Sequence, residues 1–330
     1  MKKILFVMAA LLGCIMVTNA QSTLVATLTH GSDVSMFYGT YALRDALEKA
    51  ESGDVINLSD GAFQAADITK AVTLRGAGIA AAKPTFIVQG FDVNIPSDDV
   101  NRFTMEGIRC TNYMRLIGTF KDPSFTKCQF DDNINIGVYN EDYIDNALFA
   151  NCKITDYFYV RYGTAQFVNS YLKTCGEINN NSSATFLNCV IYGTPGYLSY
   201  SQIYNSILFY PGTNKGRSTI PTTSLANNCL GVNYDDPFSN LTSSPGCTTA
   251  TFAEVFKDFT GEYSDEQTFE LTEEAQKKYL GNDGTQMGIY GGILPYTPIP
   301  SYPQFTKMNV SGKTTTDGKL SVEIGVGEGK

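Results

Sequence analysis

Phe149-Ala-Asn-Cys-Lys-Ile154 is the clearest copy of a phrase that returns along the middle of this 330-residue chain. Successive copies of its first four positions begin at Phe125, Phe149, Phe167, Phe186, Ile203 and Ala226. By subtraction, these starts lie 24, 18, 19, 17 and 23 residues apart. A repeat this short holds about one supersecondary unit, which can bury its apolar face only by stacking on its neighbours. The sequence therefore predicts a solenoid.

The spacing of apolar residues within each copy is that of a β-strand. An apolar residue stands two places after the fourth position of the regular copies, at Phe130, Ile154, Leu172, Ile191 and Leu208. Residues two apart lie on the same side of a strand, whereas a helix would need spacings of three and four. The repeats are therefore expected to be coils of β-strand, and the chain to be all-β.

The fourth position of the phrase is expected to hold a small filler that points inward. It is occupied by Cys128, Cys152, Cys189 and Cys229, and by Ser170 and Ser206 in the other copies. Serine in this position would interrupt any regular pairing of cysteines, so free thiols are predicted in preference to disulfides. Metal binding by the cysteines is not expected, because the chain has no CxxC pair and only one histidine, His30.

The third position of the phrase is expected to form the corner between strands. It holds Asn151, Asn169, Asn188, Asn205 and Asn228. Asparagine tolerates the left-handed backbone conformation that a sharp corner needs, and its amide can bond to neighbouring groups. Stacked corners predict an asparagine ladder with a structural role.

The ends of the chain differ from its repetitive middle. Residues 1–20 combine two lysines with an apolar run and a small-residue exit, which predicts a secretory signal and export to the periplasm, the cell surface or the medium. A parallel β-helix is expected over residues 21–292, covered at its start by an amphipathic helix at Tyr41–Ala50. Residues 293–304 are proline-rich and predict a stiff connector, and residues 305–330 predict a C-terminal β-hairpin tail.

The charge of the chain limits its partners. It carries 24 basic and 33 acidic residues, for a formal net charge of −9. Removal of the two signal lysines makes this −11. Nucleic acid is therefore not an expected partner, whereas a neutral ligand is compatible with the charge. Beyond the signal no apolar stretch is long enough to predict a transmembrane span.

Two further segments carry a resemblance to a known family. Gly53–Phe63 and Ala71–Gly78, taken with the repeats, resemble the first coils of the right-handed parallel β-helix of the pectin-lyase-like superfamily. The resemblance implies the fold but no particular activity. Patterns of its polygalacturonase-like and pectate-lyase-like members are missing, since the chain has no Arg-x-Lys and no tryptophan. The pectin-methylesterase-like segments have only a poor counterpart at Asp142–Asp145.

The outer face of the coils offers candidate binding residues. Strand alternation in Asp156–Tyr162 points Phe158 and Val160 inward and leaves the residues between them outside. The candidates on this and the neighbouring coils are Tyr113, Arg115, Asn135, Tyr139, Tyr157, Tyr159, Arg161, Glu177, Asn179 and Tyr197. Tyrosine rings can cover the apolar faces of sugars while polar side chains bond their hydroxyls, so this face predicts a glycan-binding track for an extracellular or cell-surface glycan.

Three alternative interpretations of this face stay open. The first is a polysaccharide lyase, in which Arg115 or Arg161 neutralises a uronate and Tyr159 or Glu177 acts as the base. The second is a non-catalytic surface scaffold or adhesin. The third is that tyrosine decorates the sheet only because it favours strands.

A calcium ion is the one cofactor that the sequence suggests. Asp131, Asp132, Glu141 and Asp142 fall in turns close together in sequence, and loops of neighbouring coils could bring such carboxylates onto a hard cation. No EF-hand spacing is present, and acidic residues in turns are also expected simply to face water. No nucleotide or flavin motif occurs.

Overall fold

The structure is a computed structural model, and it describes residues 24–258, 267–310 and 322–327. The predicted signal at residues 1–20 lies outside these ranges, as do residues 311–321 and 328–330 of the predicted C-terminal tail. Among the described residues, no helix has the length and apolar character needed to cross a membrane.

Short strands follow one another along the chain. In the first half they are β1 (Val25–His30), β2 (Asp33–Tyr38), β3 (Val55–Leu58), β4 (Gly61–Phe63), β5 (Thr73–Arg75), β6 (Thr85–Ile87), β7 (Phe91–Val93), β8 (Thr104–Glu106), β9 (Ile108–Cys110), β10 (Met114–Leu116), β11 (Thr119–Lys121), β12 (Ser124–Thr126), β13 (Gln129–Phe130) and β14 (Ile134–Ile136). In the second half they are β15 (Tyr143–Ala150), β16 (Lys153–Val160), β17 (Gly163–Val168), β18 (Tyr171–Ile178), β19 (Ser182–Leu187), β20 (Val190–Tyr192), β21 (Ser201–Tyr204), β22 (Ile207–Phe209), β23 (Leu225–Asn227), β24 (Leu230–Val232), β25 (Thr248–Ala250), β26 (Gln304–Val310) and β27 (Val322–Gly327). The helices are α1 (Ala42–Lys49), α2 (Phe252–Val255) and α3 (Glu273–Lys278), with a 3₁₀ turn at Pro195–Tyr197.

The strands form a parallel β-solenoid of about 10 turns, which confirms the predicted fold class. One sheet stacks β3, β5, β8, β12, β15, β17, β19, β21 and β23 in parallel. The second sheet runs from β4 through β6, β9, β13, β16, β18, β20, β22 and β24 to β25. A third row, formed by β7, β10 and β14, joins the second sheet at the long strand β16. Each coil therefore presents up to three faces to its surroundings.

The first phenylalanine of the phrase builds the core. Phe125, Phe149, Phe167 and Phe186 are fully buried, and their rings stack at centroid distances of 4.7, 5.1 and 5.1 Å. These distances match the spacing of about 4.8 Å between neighbouring strands, so identical side chains in successive coils meet face to face. The repeat in the sequence therefore becomes a continuous aromatic column inside the solenoid.

The prediction of free inward thiols is confirmed. Seven cysteines of the described chain are free, and six of them are buried, while Cys247 is partly exposed. Burial raises the pKa of Cys152 far above the ordinary thiol value, because the thiolate would lose its hydration. The thiols therefore act as apolar filler.

The asparagine corners are left-handed, as predicted, but their amides do not bond mainly to one another. The five predicted asparagines have φ between 45° and 56°, and Lys127 holds the same position with φ 53°. Asn169 donates its amide to the carbonyl oxygens of Ile289 and Gly291, at 2.9 and 2.7 Å. Asn151 donates to the carbonyl of Leu294, at 3.3 Å. The corners thus hold a C-terminal segment against the solenoid.

This segment, residues 281–302, is called the strap. It runs back along the corners from Asn205, which bonds to Asn282 in both directions at 3.0 Å, to Glu106, which accepts from Ser301. The last parallel strand is β25, and Ile289–Gly292 form a turn of the strap and contain no strand. The sequence predicts a turn-rich closure at Asn282–Gly288 and the last coil at Ile289–Gly292, whereas the structure places both stretches beside the coils. The cause is the hydrogen bonds to the corner amides.

Both ends of the solenoid carry additional elements. The predicted helix is present as α1, and its inward residues Leu43, Ala46 and Leu47 are buried together with Ala50 at its end, as expected for a cap. The antiparallel pair β1 and β2 beside it was not predicted. The C-terminal hairpin is confirmed by the antiparallel pairing of β26 with β27.

Candidate functional site

The predicted binding residues centre on the third row of strands. The register of β7, β10, β14, β16 and β18 places five outward positions side by side: Asp92, Arg115, Asn135, Tyr159 and Glu177. This row, with Tyr113, Tyr157 and Arg161 at its margins, is called the tyrosine face. The inward neighbours Phe158 and Val160 are fully buried, so the predicted alternation holds.

Arg115 is held by a carboxylate that the sequence reasoning did not identify. Its Nε lies 2.6 Å and its terminal nitrogen 2.7 Å from the two carboxylate oxygens of Asp92. This bidentate contact raises the pKa of Arg115, because the carboxylate stabilises the charged guanidinium. The available signal was the apolar–polar–apolar pattern of β7, where Asp92 stands between Phe91 and Val93.

Arg161 connects three other residues of the tyrosine face. It donates to the side-chain oxygen of Asn135 at 2.7 Å, and its Nε lies 3.5 Å from a carboxylate oxygen of Glu177. Its guanidinium carbon lies 4.4 Å from the ring centroid of Tyr159, a distance that permits a cation–π contact. The residues joined in this way come from three neighbouring strands of the solenoid, β14, β16 and β18.

The aromatic rings of the face are ordered by their neighbours. Tyr157 and Tyr159 lie with centroids 6.1 Å apart and ring planes 26° apart. Tyr159 lies directly over Gly176, where a Cβ would come within 2.3 Å of the ring, and Tyr113 covers Gly90 in the same way at 2.4 Å. Tyr113 and Tyr157 remain 38% and 43% exposed, so their rings are accessible to a ligand.

Three predicted members of the track lie at its edges. Tyr139 follows the end of β14 and is exposed, with its backbone N–H donated to Asp142. Asn179 closes the turn after β18, where its carbonyl accepts from Ser182. Tyr197 is exposed in the 3₁₀ turn rather than in a strand, and its carbonyl accepts from the thiol of Cys175.

The acidic residues considered for calcium have other partners. Asp142 is buried, and its two oxygens accept backbone N–H groups of Gly118, Val138 and Tyr139 at 2.6 to 2.7 Å. Asp131 pairs with Arg109 at 2.6 Å, and Asp132 accepts from Asn133. Glu141 is exposed. In the part of the chain that the structure describes, no group of three or more His, Cys, Asp or Glu could hold a metal ion.

The tyrosine face therefore combines aromatic surface with polar groups of balanced charge. Arg115 is paired with Asp92, and Arg161 with Glu177. Burial raises the pKa of Tyr159, because the phenolate would lose hydration. Such a surface can stack on a ligand and bond its hydroxyls.

Comparisons of this chain with protein-family models, with curated proteins and with solved structures found no match. The assignment of a role to the tyrosine face accordingly depends on its geometry and chemistry.

Proposed function

We propose that this chain is an exported β-helix protein of the pectin-lyase-like type that binds a neutral or weakly charged glycan along the tyrosine face. The observation that carries the proposal is the nearly parallel arrangement of two rings, the exposed Tyr157 and the half-buried Tyr159, set in a row of polar side chains. The partner would be a glycan of the cell surface or of the surrounding medium.

Sugar recognition uses the two kinds of group that this face presents. The C–H faces of a pyranose pack on aromatic rings, and its hydroxyls need donors and acceptors at the edges of those rings. Tyr113 and Tyr157 supply accessible rings, while Asn135 and Arg161 supply amide and guanidinium groups beside them. Because these groups are fixed by contacts with their neighbours, little side-chain freedom is lost on binding.

The balance of charge favours a neutral ligand over a uronate. A uronate carboxylate bound at Arg115 would have to displace Asp92, which already makes two short contacts with that guanidinium. At Arg161 it would compete with Glu177 and Asn135. For this reason binding is a better account of the face than β-elimination, which needs a free cation and a base.

The first experiment is a glycan array on the mature protein, with and without calcium, to identify a ligand. Calorimetry with that ligand then compares the wild type with Tyr157→Ala and Tyr159→Ala. Each variant is expected to weaken binding about tenfold, the loss expected of one ring contact. Tyr143→Ala is the matched control, because Tyr143 is similarly exposed but lies on β15, in the sheet that does not carry the tyrosine face. The affinity of this variant for the ligand should equal that of the wild type.

The alternatives give different results. Unchanged affinity in both tyrosine variants would remove the proposal. Release of unsaturated uronate from a polysaccharide would identify a lyase instead. A blank array together with a specific protein partner recovered from the cell envelope would favour a scaffold or adhesin.

A further inference from the structure

Arg75 differs from every other arginine of this chain. The sequence has seven arginines, all within the described residues, and six of them make ion pairs: Arg44, Arg102, Arg109, Arg115, Arg161 and Arg217. Arg75 has no carboxylate within salt-bridge distance among the residues that the structure describes. Its guanidinium carbon lies 5.5 Å from the ring centroid of Tyr302, a distance that permits a cation–π contact.

The strap explains why Arg75 is unpaired. The register of the first sheet places Arg75 of β5 directly beside Glu106 of β8, the natural partner for an ion pair. Glu106 instead accepts two hydrogen bonds at 2.6 Å, from the backbone N–H and the hydroxyl of Ser301. Tyr302, the next residue, anchors the strap by donating its hydroxyl to the carbonyl of Gly76. The strap therefore engages the carboxylate and leaves the guanidinium donors available.

Arg75 lines a cleft of about 1020 Å³ between the first sheet and the end of the strap. The charged residues of its lining are Arg75, Lys83 and Asp60, so the cleft carries a net charge of +1 on a strongly acidic protein. Thr27 and Asn57 stand beside Arg75 in successive register positions and offer a hydroxyl and an amide. This volume is large enough for a ligand of one or more sugar units.

We propose that this cleft binds a hydroxylated monocarboxylate, with its carboxylate on Arg75 and its hydroxyls at Thr27 and Asn57. Guanidinium groups bind carboxylates through two parallel N–H donors. The contact with the Tyr302 ring orients the plane of the Arg75 guanidinium. A single negative charge matches the net charge of the lining, whereas a dianion such as phosphate would exceed it. This site lies on a different sheet from the tyrosine face and does not depend on the function proposed for that face.

Calorimetry on the mature full-length protein tests the site with glucuronate, glucose and inorganic phosphate. Glucuronate is expected to bind at least about tenfold more tightly than glucose, which lacks only the carboxylate, and more tightly than phosphate. Arg75→Gln should remove that preference. Arg109→Gln is the matched control, because Arg109 is an outward arginine already paired with Asp131. Equal binding of glucuronate and glucose, tighter binding of phosphate, or equal effects of the two arginine variants would overturn the proposal.

A second pair of variants tests the role of the strap. Ser301→Ala removes one of the two donors to Glu106, so Glu106 should turn toward Arg75 and weaken glucuronate binding several-fold. Adding Glu106→Gln to that variant should restore binding, an outcome that simple loss of structure cannot produce. If Arg75→Gln does not fold, a salt titration of the wild-type protein tests the proposal. Glucuronate binding through Arg75 must weaken as salt is raised to about 0.5 M, and salt-independent binding would refute the proposal.

Discussion

Replacement of Asn169 by alanine tests how far the corner amides stabilise the fold. Asn169 is almost fully buried, has φ 45°, and donates to two carbonyl oxygens of the strap. Alanine in the left-handed conformation costs about 1–2 kcal/mol. Loss of two hydrogen bonds adds about 1 kcal/mol each. The free energy of unfolding should therefore fall by about 3–4 kcal/mol.

A second corner supplies the control for this measurement. Asn228 has nearly the same backbone, with φ 48°, but its side chain makes no hydrogen bond among the described residues. Asn228→Ala should therefore lose only the backbone contribution of about 1–2 kcal/mol. Urea denaturation of both variants, fitted with one common dependence of the unfolding free energy on urea concentration, measures the difference between them. We expect about 2 kcal/mol, the contribution of the hydrogen bonds from Asn169 to the strap.

Hydrogen exchange gives an independent measurement of the same effect. The backbone N–H of Gly291 is bonded within the strap to the carbonyl of Gly288. Its protection should decrease in Asn169→Ala and stay unchanged in Asn228→Ala, because only the first variant releases the strap. Equal losses of stability in the two variants, with the strap equally protected in both, would show that the corner amides do not hold it.

Three further predictions concern other parts of the molecule. Phe149→Ala should lower the free energy of unfolding by about 3–5 kcal/mol, since its ring lies in the buried stack at 4.7 and 5.1 Å from its neighbours, and Phe149→Leu should lose clearly less in the same denaturation assay. Mass mapping after brief alkylation of the native protein should find Cys247 modified and Cys152 untouched, because a neighbouring thiol lowers the pKa of the partly exposed Cys247 while burial raises that of Cys152; equal labelling would contradict this. Proton NMR of His30, the only histidine, should give a pKa above 6.5, since the Asp54 carboxylate bonded at 2.7 Å favours the charged ring. The contribution of this contact to stability is then complete below about pH 6.5 and is lost as the pH rises through the folded pKa, and Asp54→Asn should return the pKa toward 6.5.

Local chemistry made the solenoid predictable from sequence. A phenylalanine, a corner asparagine and a small thiol or hydroxyl recur at nearly constant spacing, and each has the same neighbours in every coil. Strand alternation likewise identified which side of β16 faces outward, and so placed Tyr157 and Tyr159 on the tyrosine face. These properties depend on a few consecutive residues, which the sequence displays directly.

The sequence did not predict which residues the outward side chains would contact. Asp92 lies 23 residues before Arg115, and only the register of β7 against β10 brings the two together. The Asp92–Arg115 pair changes the chemistry of the tyrosine face. The sequence alone suggests that Arg115 could bind a uronate carboxylate, but in the structure its charge is neutralised by Asp92. The spacing of coils varies from one repeat to the next, so the sequence alone does not fix which outward residues become neighbours.

The sequence by itself determined that the chain winds into β-coils, which residues fill their interior and where the corners turn left-handed, because each of these depends on side-chain size, polarity and backbone preference within one repeat. Only the tertiary structure decided that the strap returns along the corners, that Ser301 takes Glu106 away from Arg75, and that Asp92 engages Arg115. The side-chain hydrogen bonds of Asn205, Asn169 and Glu106 with the strap join residues 77 to 195 positions apart, and nothing in the local pattern of either segment specifies the other. They form because corner amides and exposed carboxylates in one part of the fold meet backbone donors and acceptors brought there by another.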